Sequence, residues 1–238
     1  MSRAITKLIP NSVTCLNLFS GCIACVMAFE AKYDLALLFI VMSAVFDFFD
    51  GMLARLLNAP SAIGKELDSL ADDVSFGVAP ALIVFTFLKE PLLHYPEFLS
   101  GLRPYIPYFA FFIAVFSAVR LAKFNVDERQ TSSFIGLPTP ANALFWASLI
   151  VGGGDILLMH TNVIVLIALI ALSSWLLVAE IPMFSLKFKN FSWASNKVSY
   201  IFLLISVVLL LVFKISGLAA VIAWYIILSL ITQYRGNK

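Results

Sequence analysis

The distribution of apolar residues along the chain constrains its fold more than any other feature. Apolar runs follow one another with short polar breaks, and most approach the roughly 20 residues that a helix needs to cross a bilayer. They lie near residues 12–29, 35–57, 66–88, 105–124, 138–152, 161–181, 198–213 and 217–233. Only 13% of the 238 residues are charged, against roughly 25% in soluble domains, so a water-facing surface cannot be assembled. The lipid bilayer is therefore the predicted solvent.

The pattern within these runs predicts the type of secondary structure. They lack the alternation of polar and apolar residues that marks a barrel strand, and a helix satisfies its own backbone hydrogen bonds in lipid. The sequence thus predicts an all-α integral membrane protein, a bundle of about eight transmembrane helices. Residues 1–10 place charges among Ile5, Leu8 and Ile9, which predicts a short N-terminal interfacial helix. No separate soluble domain is visible, so residues 1–238 form one predicted domain.

The basic residues predict the orientation of the bundle. If the N-terminus is cytoplasmic, 12 of the 16 lysines and arginines fall on the cytoplasmic side of the eight spans. This asymmetry obeys the positive-inside rule and predicts that both termini are cytoplasmic. A nucleic-acid partner would need a clustered basic face, whereas these charges mark helix ends at a membrane surface. We therefore expect membrane lipids as partners and no nucleic acid.

Acidic residues are concentrated in one short stretch. Six of the 14 fall between positions 47 and 73: Asp47, Asp50, Glu66, Asp68, Asp72 and Asp73. A charged group deep in a span costs at least about 2.5–3.5 kcal/mol on insertion scales, so this stretch requires compensating partners. Chance alone rarely produces such a cluster in an apolar chain.

The spacing of four of these residues predicts a metal site. Asp47 and Asp50 share one helix face, as do Asp68 and Asp72. A short connection would make the second and third spans an antiparallel hairpin, with both pairs at its cytoplasmic end. Four hard oxygen donors without histidine or cysteine suit Mg²⁺, Mn²⁺ or Ca²⁺. Since Mg²⁺ usually binds through carboxylates together with phosphate oxygens, a phosphate-bearing substrate is expected.

Small and polar residues lie between the two acidic pairs. Gly51, Ala54 and Gly64 lie on or beside the acidic faces, where a missing side chain lets a bulky ligand approach the backbone. Arg55 brings a planar donor fork that suits phosphate, and Ser61 adds a hydroxyl in the connecting loop.

The stretch from Asp47 to Asp72 resembles the full signature of the CDP-alcohol phosphotransferase family. All eight signature positions match at the expected spacing: Asp47, Asp50, Gly51, Ala54, Arg55, Gly64, Asp68 and Asp72. The resemblance implies a catalytic core over about residues 10–190, leaving two extra C-terminal spans over 198–233. It also implies a homodimer.

The resemblance implies a reaction as well. A CDP-linked lipid is the expected donor, an alcohol hydroxyl attacks the phosphorus joined to the lipid, and CMP departs. Two divalent cations, Mg²⁺ or Mn²⁺ with Ca²⁺ as a third candidate, are expected on Asp47, Asp50, Asp68 and Asp72. By the same resemblance Asp72 is the general base, and the CDP moiety is expected against Gly51, Ala54, Arg55, Ser61 and Gly64.

The first span begins with polar residues at its cytoplasmic end, where the two acidic pairs are also predicted to lie. Asn11, Thr14 and Asn17 are candidates for contacts with the nucleotide. The alternative for this segment is ordinary helix capping by Asn11 or Ser12.

The acceptor alcohol depends on other segments. The stretches 120–125, 134–141 and 178–187 resemble the phosphatidylserine synthase branch of the family, which implies L-serine. Arg120 and Lys123 are then candidates for the serine carboxylate, and Glu180 is a candidate for its ammonium group, with Lys187 nearby. The alternatives are positive-inside anchoring for Arg120 and Lys123 and an interfacial charge at Glu180.

Two other functions stay open at this point. A related enzyme would use glycerol phosphate or inositol phosphate, whose extra phosphate would require further basic residues. A divalent-cation transporter would also carry intramembrane carboxylates, but along a through-membrane route. The clustering at one membrane face favours the enzyme.

Overall fold

The computed structural model describes residues 3–59, 61–127, 134–183 and 193–236, and helices dominate these ranges. The α-helices are α1 (Arg3–Phe29), α2 (Tyr33–Leu56), α3 (Ala62–Asp72), α4 (Ala79–Leu88), α5 (Phe111–Val126), α6 (Thr139–His160), α7 (Val163–Val178), α8 (Trp193–Phe213) and α9 (Gly217–Gly236). A π-helix over Asp73–Val78 joins α3 to α4. Short 3₁₀ turns cover Glu97–Leu102, Ile106–Ala110 and Lys214–Ser216.

The helices confirm an all-α, multi-pass integral membrane protein. Within the described ranges, six helical segments are long and apolar enough to cross a membrane, and α7 is a shorter apolar helix. The last segment, Asn196–Thr232, is broken by the turn at Lys214–Ser216, so that α8 and α9 pack together as two helices. Each of the eight predicted spans therefore has a helical counterpart.

The N-terminus differs from the separate interfacial helix that its composition predicts. Helix α1 runs without interruption from Arg3 to Phe29 and contains Pro10. Proline has a φ angle close to that of a helix and removes one backbone donor, so a helix can continue past it at the loss of one hydrogen bond. The N-terminal residues therefore continue the helix that contains the first span, which begins at Leu8.

Helix α1 organises the part of the bundle that holds the acidic residues. It packs extensively against α2 and also contacts α3, the π-helix and α4. The predicted hairpin of the second and third spans is thus a three-helix arrangement, in which α2 contacts the π-helix and α4. Small residues such as Ala24 and Ala28 are fully buried in this core, which lets the helices approach closely.

The structure also contains a short two-stranded antiparallel sheet. Strand β1 (Phe134–Ile135) pairs antiparallel with β2 (Pro182–Met183). The following Gly136 has φ +78, and a Cβ there would lie 2.6 Å from the carbonyl oxygen of Leu177. Glycine alone fits this position, because other residues would meet both backbone strain and a clash.

Candidate active site

Three carboxylates come together, two from α2 and one from α3. Asp47, Asp50 and Asp68 each offer one oxygen, and these oxygens lie within 4.8 Å of one another. Among the described residues, Oδ2 of Asp50 and Oδ1 of Asp68 are buried and have no hydrogen-bond partner. Buried carboxylate oxygens without partners are costly unless a cation or donor satisfies them. The group therefore fits a hard divalent cation that prefers oxygen ligands.

Asp72 lies beside this group and is held from the opposite side by α1. Asn17 donates from Nδ2 to Oδ1 of Asp72 over 3.1 Å. Ser75 donates to Oδ1 of the Asn17 amide over 2.8 Å, which fixes the orientation of that amide. Asp72 is close enough to Asp47 and Asp68 for their charges to interact, but it is not one of the three carboxylates within 4.8 Å.

The π-helix explains how Asp72 and Ser75 both face Asn17. It begins at Asp73, directly after Asp72. The wider turn alters the angular spacing of the following residues, and π-helical turns occur frequently at functional sites. Neither the π-helix nor the role of Ser75 was predicted, since apolar periodicity carries no signal for a single π turn.

A cavity of about 240 Å³ opens next to the three carboxylates, and we call it the signature cavity. Its wall includes Asp50 and Asp68. It brings together six of the residues predicted to contact the nucleotide, namely Asn11, Thr14, Gly51, Ala54, Ser61 and Gly64. Pro10, Ala59 and Lys65 complete its lining and were not predicted.

Gly64 allows α1 and α3 to approach at this cavity. A Cβ at Gly64 would lie 2.8 Å from Ser61 Oγ and 2.9 Å from Asn11 Oδ1. Ser61 is the N-cap of α3, and its hydroxyl accepts from the Gly64 amide over 3.0 Å. The missing side chain therefore keeps two polar groups at the cavity wall.

Two residues predicted to contact the nucleotide lie outside the lining of the signature cavity. Asn17 is fully buried and is engaged with Asp72 and Ser75. Arg55 is exposed, and its Nε donates to the Gly51 carbonyl one turn earlier in α2. Its guanidinium therefore lies at the rim of the site.

The residues predicted to bind the acceptor gather in a second, smaller cavity, the Arg120 cavity. Arg120, Lys123 and Glu180 share this space of about 30 Å³. Its remaining lining residues are Asp127, Ile135, Leu177, Val178 and Ala179. Lys187 lies outside the described residues.

Arg120 is a cation close to Asp72 in the part of the chain that the structure describes. Its side chain is buried, and its charge interacts with that of Asp72. In the described structure its Nε has no hydrogen-bond partner, although the guanidinium lies 5.7 Å from the Phe124 ring centroid. Lys123 is more exposed and donates to the Val178 carbonyl over 3.4 Å.

A larger cavity, of about 390 Å³, lies at the other end of the bundle. Its polar lining includes Lys32, Asp34, Glu90 and Asp155. None of the predicted site residues lines it, so size alone does not identify the candidate site.

Comparison with known proteins agrees with the geometry. The family model described as CDP-alcohol phosphatidyltransferase matches residues 7–175. This range contains the three-carboxylate group, Asp72, the signature cavity and Arg120.

Curated relatives carry the name CDP-diacylglycerol–serine O-phosphatidyltransferase. The protein of Helicobacter pylori strain J99 is 36% identical over 139 residues, which cover 58% of this chain and 54% of the relative. That of Bacillus subtilis is 37% identical over 133 residues, covering 56% of this chain and 69% of the relative. The Mycobacterium bovis protein is 32% identical over 234 residues, covering 93% and 73%.

The matched region thus spans about half of the length of the Helicobacter relative and almost three quarters of the mycobacterial one. The family model covers most of the chain, including every residue of the acidic signature. The chain belongs to the CDP-alcohol phosphatidyltransferase family.

Proposed function

We propose that this chain transfers the phosphatidyl group of CDP-diacylglycerol to the hydroxyl of L-serine, producing phosphatidylserine and CMP. The observation that carries the proposal is the position of three carboxylates at the signature cavity, next to an Asp72 that Asn17 orients by a hydrogen bond. The names of the curated relatives support serine as the acceptor.

In this proposal the site binds two divalent cations. Asp47, Asp50 and Asp68 are metal ligands, and Asp72 would be a further ligand of one of the two cations. Mg²⁺ or Mn²⁺ is the expected metal, with Ca²⁺ as a third candidate. When bound, the cations neutralise the diphosphate and stabilise the oxygen that leaves with CMP. The unpartnered oxygens of Asp50 and Asp68 support this assignment.

The signature cavity receives the CDP moiety. Gly51, Ala54 and Gly64 leave the backbone accessible, while Asn11, Thr14 and Ser61 offer polar groups at the wall. Lys65 adds a positive charge suited to phosphate. Arg55 reaches the nucleotide from the rim by releasing its bond to the Gly51 carbonyl.

Asp72 acts as the general base. One of its oxygens accepts from Asn17, which orients the carboxylate and leaves its other oxygen for the serine proton. The serine oxygen then forms a bond to the phosphorus that carries the diacylglycerol, and the bond from that phosphorus to the CMP oxygen breaks. Asp72 takes the hydroxyl proton.

The acceptor binds beside Asp72. Arg120 receives the serine carboxylate, for which a buried guanidinium with a free donor is suited. Lys123 and Glu180 line the same cavity, where Glu180 accepts from the ammonium group. Lys187, outside the described residues, is a further candidate.

The environment of the enzyme is part of the proposal. The distribution of basic residues supports an active site and termini on the cytoplasmic side of the membrane. A bacterial or archaeal cell membrane is the proposed location. A homodimer is proposed from the family resemblance.

A single assay tests the reaction and its acceptor. Purified protein is incubated with CDP-diacylglycerol, Mg²⁺ or Mn²⁺ and each alcohol in turn, and CMP release is measured. Serine-dependent release supports the proposal, whereas release that requires glycerol phosphate or inositol phosphate moves the chain to another branch. If no alcohol supports release but the protein carries divalent cations into proteoliposomes, the transporter alternative replaces the enzyme.

A further inference from the structure

Three hydrogen bonds join helix α3 to the end of helix α5. Lys65 donates from Nζ to the carbonyl oxygen of Asn125 over 2.8 Å. The side-chain amide of Asn125 donates to Ser69 Oγ over 2.7 Å, and the Ser69 hydroxyl donates to the Lys65 carbonyl oxygen over 3.3 Å. The three residues therefore form a closed ring of hydrogen bonds, which we call the α3–α5 clamp.

The position of Asn125 in α5 explains why its carbonyl attracts an ammonium group. Helix α5 ends at Val126, so Asn125 lies in its last turn. The last four carbonyls of an α-helix have no partner within the helix, and they carry the negative end of the helix dipole. Lys65 therefore caps the C-terminus of α5 from a different helix, and the bond to Ser69 holds the capped residue in place.

The α3–α5 clamp lies between the two cavities of the site. Lys65 is part of the wall of the signature cavity. Lys123 and Asp127, which lie two positions before and after Asn125, are both part of the wall of the Arg120 cavity. Asn125 thus connects a residue at the proposed donor site to the helix end that borders the proposed acceptor site.

We propose that Asn125 is a positioning residue, which together with Ser69 holds the Lys65 ammonium at the wall of the signature cavity for the diphosphate of the donor. This inference rests on the proposed function. An ammonium group has three donors, and the Asn125 carbonyl accepts from one, which leaves two for phosphate oxygens. Lysine has a long flexible stem, so a lysine that is already held in place loses less conformational entropy when the ligand binds.

The test measures the Kd of CDP-diacylglycerol by calorimetry in detergent for Asn125→Ala and Ser69→Ala. Both substitutions break the bond between Asn125 and Ser69, so we expect each to raise the donor Kd roughly 3- to 10-fold, the effect of one ordinary hydrogen bond. The double variant should be no weaker than the single ones, because both remove the same bond. Ser69→Thr keeps the hydroxyl and should keep the wild-type Kd.

Asn162→Ala is the control for general destabilisation. Its side chain caps α7 at the other end of that helix from the Arg120 cavity, where it accepts from the Ile164 amide. The substitution removes an asparagine that stabilises a helix end, as Asn125→Ala does, but it leaves the α3–α5 clamp intact. The donor Kd of this variant should equal that of the wild type.

A double-variant cycle with Lys65 separates positioning from an independent role of Asn125. Lys65→Met keeps an unbranched apolar side chain and removes the ammonium, so Asn125→Ala should have little further effect on the donor Kd in that background. An unchanged donor Kd in Asn125→Ala, or the same fold-change in both backgrounds, would overturn the inference. A wild-type protein that neither binds CDP-diacylglycerol nor releases CMP would instead overturn the proposed function.

Discussion

Asn17 of the first span and Asp72 of the third are joined by a buried hydrogen bond of 3.1 Å, although 55 positions separate them. The bond supports a role for Asn17 in orienting the proposed base, and a contact of Asn17 with the nucleotide stays a prediction. Ser43 and Ser75 both donate to the Asn17 carbonyl, so these bonds also tie α1 to α2 and to the π-helix.

Asn17→Ala should reduce kcat about tenfold or more and change the donor KM little. The substitution removes the donor to an oxygen of Asp72, at a cost of roughly 1–3 kcal/mol, while Ser75 keeps the backbone carbonyl of residue 17 as an acceptor. Steady-state kinetics and a pH–rate profile measure the effect. Ser43→Ala is the control, because it removes a bond to the Asn17 backbone and leaves the amide on Asp72. Equal losses in the two variants would argue for a purely structural role.

Asp72→Asn should separate binding from chemistry. The amide keeps an oxygen at the site but cannot take the serine proton, so turnover should fall roughly 10²- to 10⁴-fold. Binding of CDP-diacylglycerol, measured by calorimetry in detergent, should persist. Near-normal turnover would remove Asp72 as the base.

Asp68→Asn should weaken divalent-cation binding and abolish turnover. It removes one charge from the three-carboxylate group, in which Oδ1 of Asp68 has no protein partner. Mn²⁺ titration followed by electron paramagnetic resonance measures the affinity directly. Glu66→Gln, exposed on the same helix, removes the same charge outside the group and should retain wild-type affinity. Indistinguishable Mn²⁺ affinities in the two variants would contradict the metal assignment.

Gly64→Ala should raise the donor KM. Its Cβ would lie within 2.9 Å of both Ser61 Oγ and Asn11 Oδ1, so these groups must move at the wall of the signature cavity. Overpacking of this kind typically costs about 1–3 kcal/mol, or roughly 5- to 150-fold in KM if expressed in binding. Gly101→Ala, where no atom lies within 4 Å, is the control. A donor KM equal to that of the control would place the nucleotide elsewhere.

Arg120→Ala should raise the serine KM roughly 10- to 150-fold, the loss of a charge-assisted hydrogen bond worth about 1.5–3 kcal/mol. Arg120→Lys should recover part of this, because an ammonium cannot form two parallel bonds to a carboxylate. Serine titrations at saturating donor measure both. If neither Arg120→Ala nor Lys123→Ala changes the serine KM, the acceptor binds elsewhere, with Glu180 and Lys187 as the next candidates.

The chain by itself determined the features that depend on local spacing. Apolar runs of membrane length predicted the helices, because rise per residue and bilayer thickness set their number and size. The i,i+3 spacing of Asp47 and Asp50 placed them on one face, so their approach to Asp68 followed once the connection was short. The signature cavity likewise contains mostly residues close in sequence to these carboxylates.

Only the tertiary structure decided which distant groups meet. The amide of Asn17 donates to Asp72, and the π-helix places Ser75 within hydrogen-bond distance of the same amide. In an apolar chain many helix faces look alike, so hydropathy cannot say which faces pack together. Which helices pack together is set by the close packing of small residues and by the hydrogen bonds that buried polar groups require. These contacts form only when the helices assemble.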